Sequence, residues 1–178
     1  MYKEILLTAI GLIGAKDTIL TIQEYNDRHY YYQIARQVSN ILNKPLLVVG
    51  EPKMSIHHGY GDITIDINPT KPNVIKMDVL DIDKYYPYKY FGCAYVSHVL
   101  EHLPKDKLYE AIDKLLYVSD CLIALYPKYM KIILGIIHPE HHVDTLFELW
   151  RLSKSGTLII CDPIGYNALS YVLSNQVS

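Results

Sequence analysis

The run Leu46-Leu47-Val48-Val49-Gly50 decides the fold, because it is continuously apolar and ends in a glycine. A strand with hydrophobic residues on both faces is typical of a parallel sheet that helices cover on both sides. Pro45 precedes the run and disfavours helical backbone at the residue before it, so the helix predicted upstream ends near Asn43. The run therefore predicts the first buried strand of a layered α/β domain.

Short apolar or β-branched segments recur along the rest of the chain and alternate with helical patterns. The further strand candidates are residues 62–67, 74–79, 93–97, 122–126 and 157–161. Helices are predicted from a capping box at Thr21 and Glu24 to near Asn43, from Pro104 onward, and over residues 143–150. This alternation predicts a three-layer α/β sandwich with a mostly parallel, Rossmann-like sheet.

Length and charge limit the classes of function. A chain of 178 residues corresponds to one ordinary domain. Seventeen basic and 19 acidic side chains leave a formal net charge of -2, so nucleic acid is not expected as a partner. Cys93, Cys121 and Cys161 lie far apart in the sequence and match neither a disulfide framework nor a zinc ribbon. We therefore expect a reducing compartment such as the cytoplasm.

Residues 1–20 form a separate apolar segment ahead of a domain that covers residues 21–178. Ile5 to Ala15 is an uncharged run of eleven residues, whereas a membrane-spanning helix needs about 20 apolar residues. Lys16 and Asp17 interrupt any longer span. Three interpretations stay open: an arm that packs against the domain or a protein partner, a membrane anchor, or a cleaved signal.

A polar segment follows the fourth predicted strand and reads Ser97-His98-Val99-Leu100-Glu101-His102-Leu103. Together with the helix that begins near Pro104, it resembles the corresponding stretch of class I S-adenosylmethionine-dependent methyltransferases, in particular the type 11 branch. The resemblance covers roughly residues 45–161. It implies methyl transfer from S-adenosylmethionine to an acceptor that the sequence does not identify.

The resemblance also implies which residues hold this small-molecule cofactor. Asp66, at the end of strand two, matches the acidic residue that binds the ribose hydroxyls, and Asp78-Val79 matches the adenine position. In open α/β sheets, ligands bind beyond the carboxyl ends of the strands, where the strand order reverses. Each acidic residue also has a simpler interpretation as a turn or helix-cap residue. The expected cofactor-binding residues are Gly50, Asp66, Asp78, Val79, Ser97 and His98.

The first loop departs from the family pattern. Residues 50–61 carry only Gly50 in the expected glycine position, and Pro52 stiffens the turn. A parallel crossover usually needs a dozen or more residues, but only eleven separate Gly50 from Asp62. The alternative function is therefore a catalytically degenerate methyltransferase fold that acts as a structural or binding module. We assign no catalytic residue.

Histidine patterns suggest a third, minor interpretation. His98-Val99-Leu100-Glu101-His102 matches the H-x-x-E-H signature of zinc hydrolases, although Pro104 leaves room for only a short helical turn around it. A second group, His138, His141 and His142, lies beside Glu140 and is typical of a polar helix start. From the sequence we assign no metal site.

Overall fold

Six strands form one sheet in a computed structural model that describes residues 26–52, 59–128 and 141–176. Strands β1 to β6 cover Leu46–Val49, Ile63–Asp66, Ile75–Lys76, Phe91–Ser97, Ser119–Leu125 and Thr157–Cys161. Helix α1 covers residues 26–41, and helices α2 to α5 cover Ile82–Tyr85, Lys105–Val118, Val143–Leu152 and Pro163–Asn175. Two 3₁₀ turns cover Val79–Asp81 and Leu100–His102.

The strand order is β3-β2-β1-β4-β5-β6. From β1 the chain proceeds outward through β2 to β3, then returns to the other side of β1 and continues from β4 to β6. All neighbouring strands pair in parallel except β5 and β6, which are antiparallel. The predicted mostly parallel, Rossmann-like sheet is confirmed, and its topological switch point lies between β1 and β4.

Two hydrophobic clusters cover opposite faces of the sheet. Leu47 and Val49 belong to one cluster, which includes buried residues of α3 and α4. Leu46 and Val48 belong to the other, which includes buried residues of α1 and α5. Successive strand residues point to opposite faces, so a continuously apolar strand supplies both clusters. The three-layer architecture is therefore confirmed.

Two parts of the sheet differ from expectation. The predicted third strand, 74–79, pairs with β2 only over Ile75–Lys76, because the Asp78 side chain accepts a hydrogen bond from Leu80 N and starts the 3₁₀ turn. Helix α5 is a second difference, because no helix was expected after residue 161, although the start of α5 carries a clear signal. Asp162 caps this helix by accepting from Gly165 N at 2.8 Å, and Pro163 occupies the first turn.

The expectation of unpaired cysteines is wrong. Cys121 and Cys161 lie opposite each other in the antiparallel β5–β6 pair and form a disulfide. Cys93 is a buried free thiol, and its burial raises the pKa of that thiol. The bridged cysteines are 40 residues apart in the sequence, so their pairing follows only from the register of β5 and β6.

Several sequence-based predictions lie outside the described residues. These are the apolar segment 1–20, the capping box at Thr21 and Glu24, the loop residues 53–58, and the residues His138 and Glu140. Across the helices that the structure does describe, none combines the length and apolar character needed to cross a membrane.

Candidate functional site

Gly50 lies at the switch point, directly after β1, with a φ of +97°. This backbone conformation favours glycine. A Cβ atom placed there would lie 2.9 Å from Val99 Cγ2 and 3.3 Å from the backbone oxygen of Ser97. The loops after β1 and β4 therefore approach each other so closely that a side chain at position 50 would collide with its neighbours.

Asp66 ends β2 and accepts two backbone hydrogen bonds. Its Oδ2 accepts from Glu51 N at 2.7 Å, and its Oδ1 accepts from Asn68 N at 2.8 Å. Asp66 therefore does have the role of a turn residue, because it accepts from the backbone two residues further along the chain. An ionised carboxylate has about four acceptor positions, so two remain for a ligand hydroxyl.

Glu51 holds the loop after β1 against the loop after β2, a contact that we call the first-loop latch. Its buried side chain accepts from Thr70 Oγ1 and Thr70 N at 2.5 Å and from Lys71 N at 3.2 Å. The Thr70 hydroxyl is the main cause that lowers the pKa of Glu51. Sequence reasoning missed this latch, and the only signal was an acidic residue directly after the strand-ending glycine.

The predicted adenine position also has a structural role. Asp78 uses its Oδ1 to accept from Leu80 N at 2.9 Å, and the Val79 side chain is buried in the core. Met77 N donates to Asp66 O at 3.0 Å, which keeps the end of β3 beside the end of β2. Asp78 and Asp66 therefore follow neighbouring strands at the same edge of the sheet, as predicted.

Ser97 and His98 form the corresponding edge of β4. Ser97 is buried, and its hydroxyl lies close enough to the Tyr95 hydroxyl to interact with it. His98 has a φ of +55°, uncommon for a residue with a side chain, and its N–H donates to Leu125 O at 2.9 Å. Its Nδ1 lies 3.1 Å from Glu101 Oε1.

Glu101, His102 and His141 form a cluster of metal-ligand type. One ligand atom from each lies within 4.8 Å of the others, and the two imidazole rings meet edge to face at 4.8 Å. The group differs from the sequence pattern His98, Glu101 and His102, because it contains His141 and not His98. His142, which follows His141, is exposed at the start of α4.

An open groove of about 720 Å³ separates the first turns of α3 and α4. Two of its lining residues are close in sequence to the cluster, because Pro104 lies two residues after His102 and His142 follows His141. Its lining residues are Pro104, Lys105, Asp106, Tyr109, His142, Val143 and Asp144.

No family model matches the chain, and no curated protein matches it. Among solved structures, the chain is similar to a SAM-dependent methyltransferase from Archaeoglobus fulgidus. The two sequences are 21% identical, the match covers 74% of this chain and 72% of the other, and the TM-score is 0.45. The strand order and pairing described above define the fold without this similarity.

Proposed function

We propose that the chain binds S-adenosylmethionine at the carboxyl edge of β1, β2 and β4 and transfers its methyl group to an acceptor. One observation carries this proposal: Gly50, Asp66 and Ser97 lie at the ends of three adjacent strands, around the switch point. Open α/β sheets bind nucleotide-like ligands in this place.

Each residue at this edge has a specific capacity to hold the cofactor. Asp66 has two acceptor positions left for the vicinal hydroxyls of a ribose. Gly50 allows backbone to approach a ligand closely, and the buried Ser97 Oγ offers a hydroxyl next to it. Asp78 and Val79 follow β3, where the adenine would lie, and His98 borders the same edge beyond β4.

The bound cofactor would supply an activated methyl group on its sulfonium sulfur. Direct methyl transfer can proceed when the acceptor is held in the correct position, so the chemistry requires no particular catalytic side chain. The groove between α3 and α4 is our candidate for the acceptor site, because it adjoins the segment after β4. We assign no methyl acceptor.

The first-loop latch favours the second candidate function, a degenerate fold that serves as a structural or binding module. Glu51 and Pro52 are both buried, and Glu51 is bound to Thr70 and Lys71. A loop fastened in this way has less freedom to open around the methionine part of a cofactor. This interpretation predicts a stable domain without affinity for S-adenosylmethionine.

Calorimetric titration of the wild-type chain with S-adenosylmethionine distinguishes the two functions. We expect saturable binding that weakens about tenfold to 150-fold in Asp66→Asn, since a charged acceptor of the ribose hydroxyls is lost. Asparagine is preferred to alanine here because Asp66 also accepts two backbone N–H groups, and the amide oxygen can retain one of them. No heat of binding by the wild type at millimolar cofactor would contradict the methyltransferase proposal and support the scaffold function.

Asp62→Asn is the matched control. Asp62 precedes β2 at the opposite edge of the sheet, where its Oδ2 accepts from Leu46 N and from Arg36, both at 2.7 Å. Both substitutions remove a carboxylate that accepts a backbone N–H, but only Asp66 faces the proposed site. Asp62→Asn should leave the affinity unchanged, and an equal loss in both variants would show that Asp66 acts through stability alone.

A further inference from the structure

Glu101 is a buried carboxylate with imidazoles as its polar neighbours. Its side chain is fully buried, and within the described residues neither Oε1 nor Oε2 accepts a hydrogen bond of normal geometry. Three imidazoles lie nearby, with His98 Nδ1 at 3.1 Å from Oε1 and with His102 and His141 in the 4.8 Å cluster. A buried carboxylate is costly unless it is paired, hydrogen-bonded or bound to a metal.

The backbone holds this cluster in place. His142 N donates to Glu101 O at 2.9 Å, and the buried Thr145 donates its hydroxyl to Leu103 O at 2.7 Å. These two bonds fasten the start of α4 to the 3₁₀ turn after β4. The position of His141 beside His102 is therefore fixed by the fold, as a binding site requires.

We infer that Glu101, His102 and His141 bind a divalent transition-metal ion of the zinc type. Two imidazole nitrogens and one carboxylate are a common ligand set for zinc, whereas magnesium and calcium prefer oxygen ligands. Three protein ligands leave a fourth position for water or a substrate oxygen, as in catalytic zinc sites. The inference does not depend on the proposed cofactor.

The geometry requires a small adjustment. Zinc bonds of about 2.0–2.2 Å place tetrahedral ligand atoms about 3.4 Å apart, so the cluster must contract by up to about 1.4 Å from its 4.8 Å limit. His102 is exposed and His141 is half-buried, so neither ring has to move through the packed core to make this adjustment. His98 fits the role of a positioning residue, because ligating carboxylates are usually held in turn by a neighbouring group.

The first experiment is titration of the untagged, chelator-treated full chain with Zn²⁺ by calorimetry, without cofactor, and with Co²⁺ by visible absorption. We expect one ion per chain with micromolar affinity or tighter, a rise in Tm, and at least about 100-fold weaker binding of Mg²⁺. Because no cofactor is present, the result is independent of whether S-adenosylmethionine binds. Absence of saturable Zn²⁺ binding would overturn the inference.

Variants then identify the ligands. Glu101→Gln, His102→Ala and His141→Ala should each weaken Zn²⁺ binding at least about tenfold, because even outer-shell losses cost 10–100-fold. His102→Ala keeps the test valid if a buried variant fails to fold, since His102 is exposed. His142→Ala is the matched control and should bind like the wild type. Equal losses in His141→Ala and His142→Ala would indicate a surface histidine site and overturn the assignment.

Discussion

Asp66 Oδ2 accepts the backbone N–H of Glu51 at 2.7 Å, so the end of β2 holds the first residue after Gly50. Glu51 in turn binds the loop after β2, because its carboxylate accepts hydrogen bonds from the backbone of Thr70 and Lys71. The resemblance to methyltransferases implies a loop with several glycines at this place. In this protein two carboxylates hold Glu51 at the start of the loop, and among the described loop residues only Gly50 has the positive φ that glycine favours.

Gly50→Ala should destabilise the domain by about 1–3 kcal/mol, because position 50 combines a positive φ with a close contact. Urea denaturation measures the change. The double variant Gly50→Ala/Val99→Ala removes the 2.9 Å contact with Val99 Cγ2 and should differ from the sum of the single variants. If Gly50→Ala alone were as stable as the wild type, the strained geometry at position 50 would be contradicted.

Lys44→Met should cost about 1.5–3 kcal/mol, because it leaves the carboxylate of Asp120 buried without its cation. Lys44 Nζ lies 2.6 Å from Asp120 Oδ2, and the Asp120 side chain is only 2% exposed. The matched control is Lys84→Met, whose partner Asp81 also lies at 2.6 Å but is 45% exposed. We expect little change in the control, because solvent screens exposed pairs. Equal losses would show that burial does not determine the difference.

Protonation of Glu148 should account for part of the loss of stability at acid pH. Hydrogen bonds from Arg151 and then from Tyr109 lower the pKa of Glu148 from 4.5 to about 2. A carboxylate whose pKa is lower in the folded state than in the unfolded state stabilises the fold at pH values above the unfolded-state pKa. This contribution disappears as the pH falls from 4.5 toward 2. The Tm of Glu148→Gln should therefore fall less steeply than the wild-type Tm as the pH is lowered below 4.5. Melting curves at a series of pH values measure this slope.

Glu110→Gln is the control for that pH series. Lys107 lowers the pKa of Glu110, but this side chain is 39% exposed, against 10% for Glu148. Glu110→Gln should therefore change the pH dependence of the Tm less than Glu148→Gln does. If Glu148→Gln kept the full wild-type slope below pH 4.5, the contact with Arg151 and Tyr109 would not stabilise the carboxylate.

Thiol counting tests the disulfide. The denatured, unreduced chain should react with one equivalent of thiol reagent, from Cys93, and the reduced chain with three. Reduction should lower the stability by about 2–4 kcal/mol, because it frees the unfolded chain from a closed loop. Three reactive thiols before reduction would show that Cys121 and Cys161 are unpaired. Cys161→Ser should reproduce the destabilisation without reductant.

The sequence by itself determined the layered fold and the edge of the sheet that carries the candidate site. A strand that is apolar on both faces, such as residues 46–49, must be covered on both sides, and in a chain of alternating strands and helices the helices provide that cover. Polar residues at the carboxyl ends of parallel strands, including Asp66 and Ser97, therefore lie at the same edge of the sheet. These conclusions need only the local pattern of each segment, which a single sequence contains.

Only the tertiary structure decided which distant side chains meet. Cys121 reaches Cys161 through antiparallel register, Glu51 reaches Thr70 across two loops, and His141 reaches Glu101 because α4 is fastened to the turn after β4. Hydrophobic periodicity reports which face of an element is buried and restricts the register of paired strands, but it does not say which elements are neighbours. The disulfide, the first-loop latch and the histidine–carboxylate cluster join elements that are distant in sequence, so they follow only from the assembled tertiary structure.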